Sequence, residues 1–406
     1  MRPESETQLA EMVREAKEPL RIQGGGTRPV GRVVDGTELD VSGVRGITLY
    51  EPGALTLVAG AGTPMAEIDA ALEAEAQMLA FEPMDHRALL GTSGSPTLGG
   101  VVAGNVSGPR RVSAVGACRD SVLGVRFVDG SGQVVKNGGR VMKNVTGYDL
   151  SKLMSGAYGT LGVLSEVALK VLPRPEGEAT LSVPGLSAAQ AVAAMAAALK
   201  SPFEVSGAAW DPLVGVQLRV EGLSASVTYR ASRLQSLLAP FGAARVTDDN
   251  QASAMIWRAI RDVERLKDHA VVVRVSIKPG NLTELLHLAS ETLCDPRTRA
   301  PGFDIVADWG GGLVWFGATT PQLEICAQAL PAGQGAVAET GGRILLDYLQ
   351  RHCAGAGGHA TLIKGPVGLR RAVASFQPEA APVAVLTTGL RQRFDPRGIL
   401  NSGLME

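Results

Sequence analysis

The sequence Arg21-Ile-Gln-Gly-Gly-Gly-Thr27 is the first of three glycine-rich segments within the first 165 residues of this chain. The second is Thr97-Leu-Gly-Gly100, which continues to Gly108, and the third is Gly156-Ala-Tyr-Gly-Thr-Leu-Gly162, which leads into an apolar strand. Glycine adopts positive φ and has no Cβ, so such loops let backbone N–H groups hydrogen-bond a diphosphate without steric obstruction. Their succession therefore predicts a long ligand that is held by the backbone.

Two common nucleotide-binding fingerprints do not account for these loops. No glycine immediately precedes a lysine, so the sequence has no Walker A loop. The loop at Gly24 also fails the G-x-G-x-x-G pattern, because Pro29 stands where the last glycine is required. The loops therefore indicate neither a P-loop nor a dinucleotide-binding fold of the Rossmann type.

Length and composition limit the class of protein. The 406 residues are too many for one ordinary core and predict two domains. Hydrophobic residues make up 45% and charged residues 19% of the chain, which is typical of a globular enzyme rather than of a disordered or fibrous protein. The formal net charge of -1 argues against nucleic acid as a partner.

Cysteine spacing and hydropathy bear on location. The four cysteines are far apart and include no C-x-x-C pair, so neither an iron–sulfur ligand set nor a disulfide framework is indicated. They are Cys118, Cys294, Cys326 and Cys353. We therefore expect a reducing, cytoplasmic location. No stretch of about 20 apolar residues occurs, so we expect no membrane span, and any association with a membrane would come through a partner subunit.

Residue patterns predict mixed α and β structure. Apolar residues from Leu9 to Ala16 recur with helical spacing, and the strand Leu20–Gln23 leads into the first glycine loop. Thr63-Pro64 predicts a helix start, with the hydroxyl at the N-cap and the proline at the first helical position. Residues 122–136 predict a β-hairpin, and Leu161–Leu172 predicts a long strand.

The second half of the chain reads as a separate unit. The segment Pro173-Arg-Pro-Glu-Gly177 is typical of a linker between domains. Beyond it, an alanine-rich helix (residues 188–199) and alternating strands such as Val271–Ile277 predict a second α+β unit. The final segment from Phe394 to Gly403 contains too much glycine and proline for a plain terminal helix.

Several motifs together carry a resemblance to a known family. Residues 140–154, which read RVMKNVTGYDLSKLM, and the segment Gly159-Thr-Leu-Gly-Val-Leu-Ser-Glu166 resemble the FAD-binding domain of the vanillyl-alcohol oxidase/PCMH flavoprotein superfamily. Within it, the chain is most similar to the FAD-binding subunits of bacterial glycolate oxidase. Further matching motifs are Ala61-Gly-Thr-Pro64, Ser107-Gly-Pro-Arg-Arg111, Val171-Leu-Pro-Arg-Pro175, Gly358-His-Ala-Thr-Leu362 and the ending from Asp395 to Asn401.

The resemblance implies a fold and a domain organisation. We expect an α+β protein with a PCMH-type FAD-binding domain of two α/β subdomains at residues 1–175. An α+β cap domain would occupy residues 176–385. Residues 386–406 would then return to the FAD domain and complete the site near the flavin.

The resemblance also assigns the cofactor and the residues that bind it. The cofactor would be FAD, held by the three loops and the C-terminal segment. The implied residues are Gly24, Gly25, Gly26, Thr27, Arg28, Thr97, Leu98, Gly99, Gly100, Gly104, Gly159, Thr160, Gly162, Val163 and Asn401. Attachment would be non-covalent, because the first loop lacks the histidine that tethers FAD in some relatives. Cys118 is a lone cysteine, which is more often a small buried apolar residue than a tether.

The residues for substrate chemistry are less strongly marked. Related D-2-hydroxyacid dehydrogenases carry a metal-binding H-x-G-D-G-N-x-H segment, but if His359 is its first histidine, the second position falls on Pro366. We therefore expect no metal site. Oxidation of a hydroxy acid by flavin needs cations for the carboxylate and a base for the hydroxyl. Among the candidates Arg261, Arg274, Lys278, His359 and Lys364, we predict catalytic roles for Arg274, Lys278 and His359.

The resemblance implies an FAD-binding subunit of a glycolate oxidase complex, which oxidises glycolate to glyoxylate. Such subunits work with a second, metal-motif-bearing flavin subunit and an iron–sulfur subunit, to which electrons pass. The missing metal motif suggests that the partner flavoprotein carries out the first dehydrogenation while this flavin relays electrons. Two alternatives remain open at this point: a stand-alone FAD-dependent D-2-hydroxyacid dehydrogenase, for instance for D-lactate, and a redox-inactive scaffold subunit.

Overall fold

The chain divides into two compact units. The computed structural model describes residues 1–113, 115–139, 147–329 and 336–406, so the first half of the 140–154 motif lies outside the described residues. The first unit comprises Met1–Gly108, Val115–Arg174 and Glu379–Glu406, and the second comprises Pro109–Ala114 and Pro175–Pro378. The proposed domain boundaries at residues 175 and 385 stay a prediction. By contact, the chain divides after Arg174 and after Pro378.

Helices and strands alternate along both units, which confirms the predicted mixed α and β class. The helices are α1 Glu6–Glu15, α2 Met65–Ala74, α3 Arg87–Leu90, α4 Leu98–Ala103, α5 Cys118–Ser121, α6 Leu150–Met154, α7 Ala188–Lys200, α8 Ser224–Leu238, α9 Asn250–Arg261, α10 Leu282–Thr292, α11 Thr320–Ala329, α12 Val337–Ala356, α13 Val367–Ala372 and α14 Ala381–Phe394. Among the residues that the structure describes, no helix combines the length and the apolar character needed to cross a membrane.

The strands form one main sheet in each unit. They are β1 Leu20–Gln23, β2 Thr37–Asp40, β3 Ile47–Glu51, β4 Thr56–Gly60, β5 Gln77–Met78, β6 Val122–Val128, β7 Val134–Gly138, β8 Val163–Lys170, β9 Leu172–Pro173, β10 Gly177–Val183, β11 Val205–Asp211, β12 Gly215–Gly222, β13 Arg245–Thr247, β14 Val271–Ser276, β15 Asp304–Asp308, β16 Leu313–Ala318 and β17 His359–Lys364.

The sheet of the first unit is antiparallel, in the order β3-β4-β8-β6-β7. The predicted hairpin is present as β6 and β7. The predicted strand 161–172 is shorter than expected. It ends at Lys170, and Leu172–Pro173 pairs instead with β5. A parallel pair, β1 and β2, delivers the first glycine loop to one end of this unit.

The predicted start of α2 is wrong by one residue. The helix begins at Met65 with Pro64 at the N-cap position. The Thr63 hydroxyl donates to the carbonyl oxygen of Gly60 at 2.7 Å rather than accepting from the first turn of the helix. Thr63 therefore stabilises the turn that precedes the helix, because its hydroxyl is engaged there.

The C-terminal segment folds back onto the first unit, as predicted. The backbone N–H of Leu20 donates to the carbonyl oxygen of Ile399 at 2.7 Å, and Ile399 and Leu400 are buried in the same apolar cluster as Leu9. The Arg397 guanidinium donates to the carbonyl oxygen of Gly130 at 2.7 Å. Backbone and side-chain bonds therefore fix the last residues against β1 and the β6–β7 turn.

In the described part of the second unit, eight strands form an antiparallel sheet in the order β13-β10-β12-β11-β15-β16-β14-β17. Strand alternation gives this sheet two different faces. Residues such as Val273, Phe316 and Leu362 lie in the apolar core with the helices α7, α8, α10, α11 and α12. The opposite face carries polar residues such as Arg274 and Thr361, which are register partners.

A buried ion network lies on this polar face. The carboxylate of Glu221 accepts a pair of hydrogen bonds from Arg110, with an Nη2–Oε1 distance of 2.6 Å, and lies 3.3 Å from Nε of Arg219. Arg219 is 1% exposed and stacks 4.6 Å from the ring centroid of Trp257. Burial opposes ionisation of Glu221, but the two arginines outweigh it and lower its pKa to about 2. The network therefore attaches the segment that begins at Pro109 to the second unit.

We expect Glu221→Gln to destabilise the second unit by roughly 3–5 kcal/mol at neutral pH, because it leaves two buried guanidinium groups without their carboxylate. All four tryptophans lie in this unit, so urea unfolding followed by tryptophan fluorescence reports on it. The difference from wild type should shrink as the pH falls from 4.5 towards about 2, since Glu221 becomes protonated in both states.

The matched control is Glu264→Gln, which removes an exposed pair with Lys267 in the same unit. Its cost should stay below about 1 kcal/mol. Equal effects of the two variants would contradict a structural role for the buried network.

Candidate functional site

A cavity in the first unit brings the predicted glycine loops together. Four segments line it: the first glycine loop, α4, the loop before β8 and the C-terminal segment. The predicted residues found there are Gly24, Gly25, Gly26, Thr27, Arg28, Thr97, Gly99, Gly100, Gly104, Gly159, Gly162, Val163 and Asn401.

The first glycine loop packs directly on the backbone of the segment before α4. A Cβ on Gly25 would lie 1.6 Å from the carbonyl oxygen of Ser95, and a Cβ on Gly94 would lie 1.7 Å from the carbonyl oxygen of Gly25. A Cβ on Gly24 would lie 2.2 Å from Oγ1 of Thr97. Glycine is therefore required here so that two chain segments can touch, and the cavity wall is made of backbone.

Arg28 joins the first loop to α4. Its Nη1 donates to the carbonyl oxygen of Gly100 at 2.7 Å, and its Nε donates to Nδ1 of His86 at 3.2 Å. Burial lowers the pKa of the Arg28 guanidinium, but an arginine stays charged in proteins. Arg28 therefore holds a positive charge in the wall of the cavity, where it favours an anionic ligand group.

Asn401 connects the C-terminal segment to two of the other walls. Its Oδ1 accepts from the backbone N–H of Ile22 at 2.8 Å, and its Nδ2 donates to the carbonyl oxygen of Tyr158 at 2.8 Å. The backbone N–H of Asn401 donates to the carbonyl oxygen of Leu20 at 3.0 Å. The φ of Asn401 is 45°, in the left-handed region that asparagine tolerates. Both side-chain atoms are engaged with backbone, so Asn401 positions the walls.

Two predicted cofactor-binding residues do not reach the cavity with their side chains. Leu98 is the first residue of α4, and its side chain is fully buried in the core. The Thr160 hydroxyl donates to the carbonyl oxygen of Ala157 at 2.7 Å and so closes its own turn. Both therefore support the neighbouring glycines. Cys118 is fully buried, and burial raises the pKa of its thiol well above the usual range.

Two of the predicted catalytic residues, Arg274 and His359, lie near Arg111 and Trp309 on the polar face of the second unit. The guanidinium carbons of Arg111 and Arg274 lie 4.5 Å and 5.3 Å from the ring centroid of Trp309. Desolvation by the surrounding protein lowers the pKa of His359, and the positive charges of Arg274 and then Arg111 lower it further. Two cations and an imidazole that favours its neutral form therefore lie close together.

Trp309, which both arginines contact, has a strained backbone conformation. Trp309 has a φ of 53°, and its N–H donates to Oδ1 of Asp308 at 2.7 Å. A bulky residue with positive φ is an outlier whose cost must be offset by its surroundings. The strained backbone holds the indole close to two guanidinium groups, and aromatic faces attract cations.

The remaining candidate cations are Lys278, Lys364 and Arg261. Lys278 is exposed where a short 3-10 helix begins after β14. Lys364 donates to the carbonyl oxygen of Lys267 at 2.7 Å, and Arg261 pairs with Asp262 at 2.7 Å. Sequence reasoning missed Arg111, although its motif Ser107-Gly-Pro-Arg-Arg111 was recognised. A pair of arginines between two glycine-rich loops was the available signal.

Within residues 1–113, 115–139, 147–329 and 336–406, no group of three or more histidine, cysteine, aspartate or glutamate side chains could hold a metal ion. The arginines on the polar face can bind a carboxylate, and the imidazole of His359 can transfer a proton.

Comparisons with known proteins identify the family to which the chain belongs. Residues 1–138 match a family model described as an FAD binding domain. The glycolate oxidase subunit GlcE of Escherichia coli is 34% identical over 401 residues, a match that covers 98% of this chain and 96% of that protein. The D-lactate dehydrogenase of Anaerostipes hadrus is 31% identical over 179 residues, which cover 43% of this chain and 36% of that protein.

A solved structure extends the match to the whole fold. An alkyldihydroxyacetonephosphate synthase aligns with a TM-score of 0.69 at 16% identity, and the alignment covers 99% of this chain and 76% of that one. At this identity the likeness shows a shared fold. The predicted FAD-binding fold and the FAD cofactor are thereby confirmed.

Replacing Asn401 tests whether it positions the walls of the cavity. Asn401→Gly keeps the left-handed backbone accessible but removes the part-buried hydrogen bonds to Ile22 and Tyr158, at about 1 kcal/mol each. We expect the purified variant to contain clearly less bound flavin per chain, measured by its visible absorption. The control Ser402→Gly, at an exposed neighbour, should retain wild-type flavin. Full flavin content in both variants would contradict the positioning role.

Proposed function

Because this chain belongs to the family of FAD-binding oxidoreductases that includes the glycolate oxidase subunit GlcE, we propose that it is the FAD-binding subunit of a complex that oxidises glycolate to glyoxylate. The observation that carries the proposal is the match over 98% of this chain and 96% of the relative, which spans both units rather than the FAD domain alone. A domain-only match would leave the substrate class open.

The cavity of the first unit fits FAD. Loops that pack backbone on backbone leave N–H groups available for a diphosphate, and Arg28 adds a buried positive charge. We propose that the cofactor is held there by the three glycine loops and Arg28, without a covalent bond. Thr27 and Arg28 follow the glycines of the first loop where a tethering histidine would stand, and the Cys118 thiol is buried. When bound, FAD would supply the acceptor for a hydride from the α-carbon of the acid.

The cluster around Trp309 supports a direct role in substrate binding. We propose that Arg274 and Arg111 hold the carboxylate of a 2-hydroxy acid, since guanidinium groups match carboxylate geometry. His359, whose lowered pKa favours the neutral form, would accept the proton of the α-hydroxyl. Lys278, exposed after β14, would add a further positive charge for the incoming anion.

We further propose that the chain works with partner subunits. The Escherichia coli relative is itself named as a subunit, which supports a multi-subunit assembly. We expect a second flavin subunit and an iron–sulfur subunit, through which electrons leave and through which any contact with a membrane is made. In the relay version of this proposal, the partner flavoprotein dehydrogenates glycolate first and this flavin only passes electrons on.

A second candidate activity is stand-alone oxidation of D-lactate. The Anaerostipes hadrus relative is named as a D-lactate dehydrogenase, and its match covers 43% of this chain. D-lactate differs from glycolate by one methyl group, so the same arginines and imidazole would serve both acids. The two activities are separated by measurement on the isolated chain.

The first experiment is anaerobic titration of the purified chain with glycolate and with D-lactate, followed by flavin absorption. A direct role predicts that the flavin is bleached by glycolate in the absence of partners. Bleaching by D-lactate with a much higher rate would favour the second candidate. Flavin that stays oxidised until partner subunits are added would contradict the direct role and support the relay, and a folded chain without flavin would contradict the proposal altogether.

The direct role also predicts a pH dependence. The rate of flavin reduction by glycolate should fall as the pH drops through the pKa of His359, which lies below 6.5, because a protonated imidazole cannot accept a proton. Arg274→Gln removes a nearby positive charge and so raises this pKa, which should move the acid limb to higher pH and raise KM. Arg233→Gln, at an exposed position of α8, is the control. An acid limb that Arg274→Gln leaves in place would exclude His359 as the base.

A further inference from the structure

A second cavity lies within the second unit, between α9 and the polar face of the sheet. Its volume is about 620 Å³. Its apolar walls come from Ile256 and Ile260 of α9, from Val263 after this helix, and from Val306 and Trp315 on the sheet. These strand residues share the face that carries Arg274, because Trp315 is the register partner of both Arg274 and Val306.

The walls of this cavity do not suit a two-carbon hydroxy acid. Its volume lies within the range of about 300–1,000 Å³ that small-molecule sites usually enclose, but a small polar acid would leave most of the apolar walls without contacts. The charged side chains at its rim include both signs: Arg265 pairs with Asp211 at 3.3 Å, and Glu264, Arg245 and Asp308 lie nearby. Three carboxylates and two guanidinium groups leave a small negative charge at the rim, which disfavours an anionic ligand, and the apolar walls favour a neutral, largely apolar one.

One polar group in the wall specifies what such a ligand must carry. Gln217 is 5% exposed and lines the cavity. Its Oε1 accepts from the Ser182 hydroxyl at 2.6 Å, which orients the amide, whereas its Nε2 is buried and has no hydrogen-bond partner in the described part of the chain. A buried N–H donor of this kind needs an acceptor, so a complementary ligand presents a carbonyl oxygen.

The backbone at the cavity wall is strained as well. Val263 is 2% exposed and has φ 52° and ψ 43°, a left-handed conformation that a β-branched residue rarely adopts. The left-handed conformation of Val263 turns the chain between α9 and the 3-10 helix that follows. The apolar side chains of Ile256, Ile260 and Val263 thereby line the cavity opposite the strand residues Val306 and Trp315. Backbone strain of this kind persists where the surrounding structure shapes a ligand site.

We propose that this cavity binds a neutral, flat, apolar ring compound that carries a carbonyl oxygen. The ring lies among Ile256, Ile260 and the indole of Trp315, and the carbonyl accepts the free N–H of Gln217. This binding function is separate from the proposed FAD and hydroxy acid sites. It is measured without turnover, so its failure and the failure of the proposed glycolate activity are distinguishable.

Two probes of matched size test the proposal on the full flavin-containing chain by isothermal titration calorimetry. They are 2-acetylnaphthalene, which has a carbonyl oxygen, and 2-ethylnaphthalene, which does not. We expect the ketone to bind several-fold more tightly. Gln217→Leu should weaken ketone binding about fivefold, the worth of one neutral hydrogen bond, and leave the hydrocarbon unchanged.

Ile260→Trp fills the cavity and should weaken both probes at least tenfold, whereas Leu223→Trp, at a 65% exposed position outside the cavity, should weaken neither. Tryptophan fluorescence melting confirms that each variant is folded, and Gln217→Glu, which keeps the acceptor for Ser182, is a second test of the donor if Gln217→Leu unfolds. Equal affinities for the two probes, or binding that Ile260→Trp leaves intact, would overturn the proposal.

Discussion

The contact of backbone with backbone at Gly25 and Gly94 is the constraint on which the cavity of the first unit depends. A Cβ at either position would overlap the facing chain, at 1.6 Å and 1.7 Å from carbonyl oxygens. Arg28 then fixes this pair of segments to α4. Asn401 ties the first loop to the C-terminal segment through a hydrogen bond with Ile22, which lies 379 positions earlier in the sequence. The cavity therefore has main-chain walls, which suit a ligand rich in phosphate oxygens.

The second unit depends on side chains instead. Its sheet packs one face into an apolar core and leaves the other face polar, where buried charges must be paired. The pairing of Arg110 with Glu221 has a consequence for function, because Arg111 follows directly in sequence and lies over Trp309. A structural ion network therefore places a cation of the proposed substrate cluster. The same face also supplies Gln217 and Trp315 to the separate apolar cavity.

Sequence reasoning was most successful where a residue's chemistry is local. The glycine loops, the β6–β7 hairpin and the return of the C-terminus were all predicted, since turn residues and strand alternation leave a direct mark on the sequence. It was less successful where a side chain's role depends on distant packing. Leu98 and Thr160 stand inside a cofactor motif, but the core and a local turn engage their side chains. The start of α2 moved by one residue because Gly60 competes for the Thr63 hydroxyl.

The sequence by itself determined the α+β class, the FAD-binding family and the segments that line the cavity of the first unit, because these follow from glycine positions and contiguous motifs. The tertiary structure alone decided which side chains meet. Arg111 joins Arg274 and His359 because a short segment of the N-terminal half folds with the second unit. Asn401 became a link between walls through contacts with residues far apart in sequence. Packing likewise buried the Nε2 of Gln217 with no hydrogen-bond partner among the residues that the structure describes. Such contacts depend on the packing of whole elements, which local residue patterns do not encode.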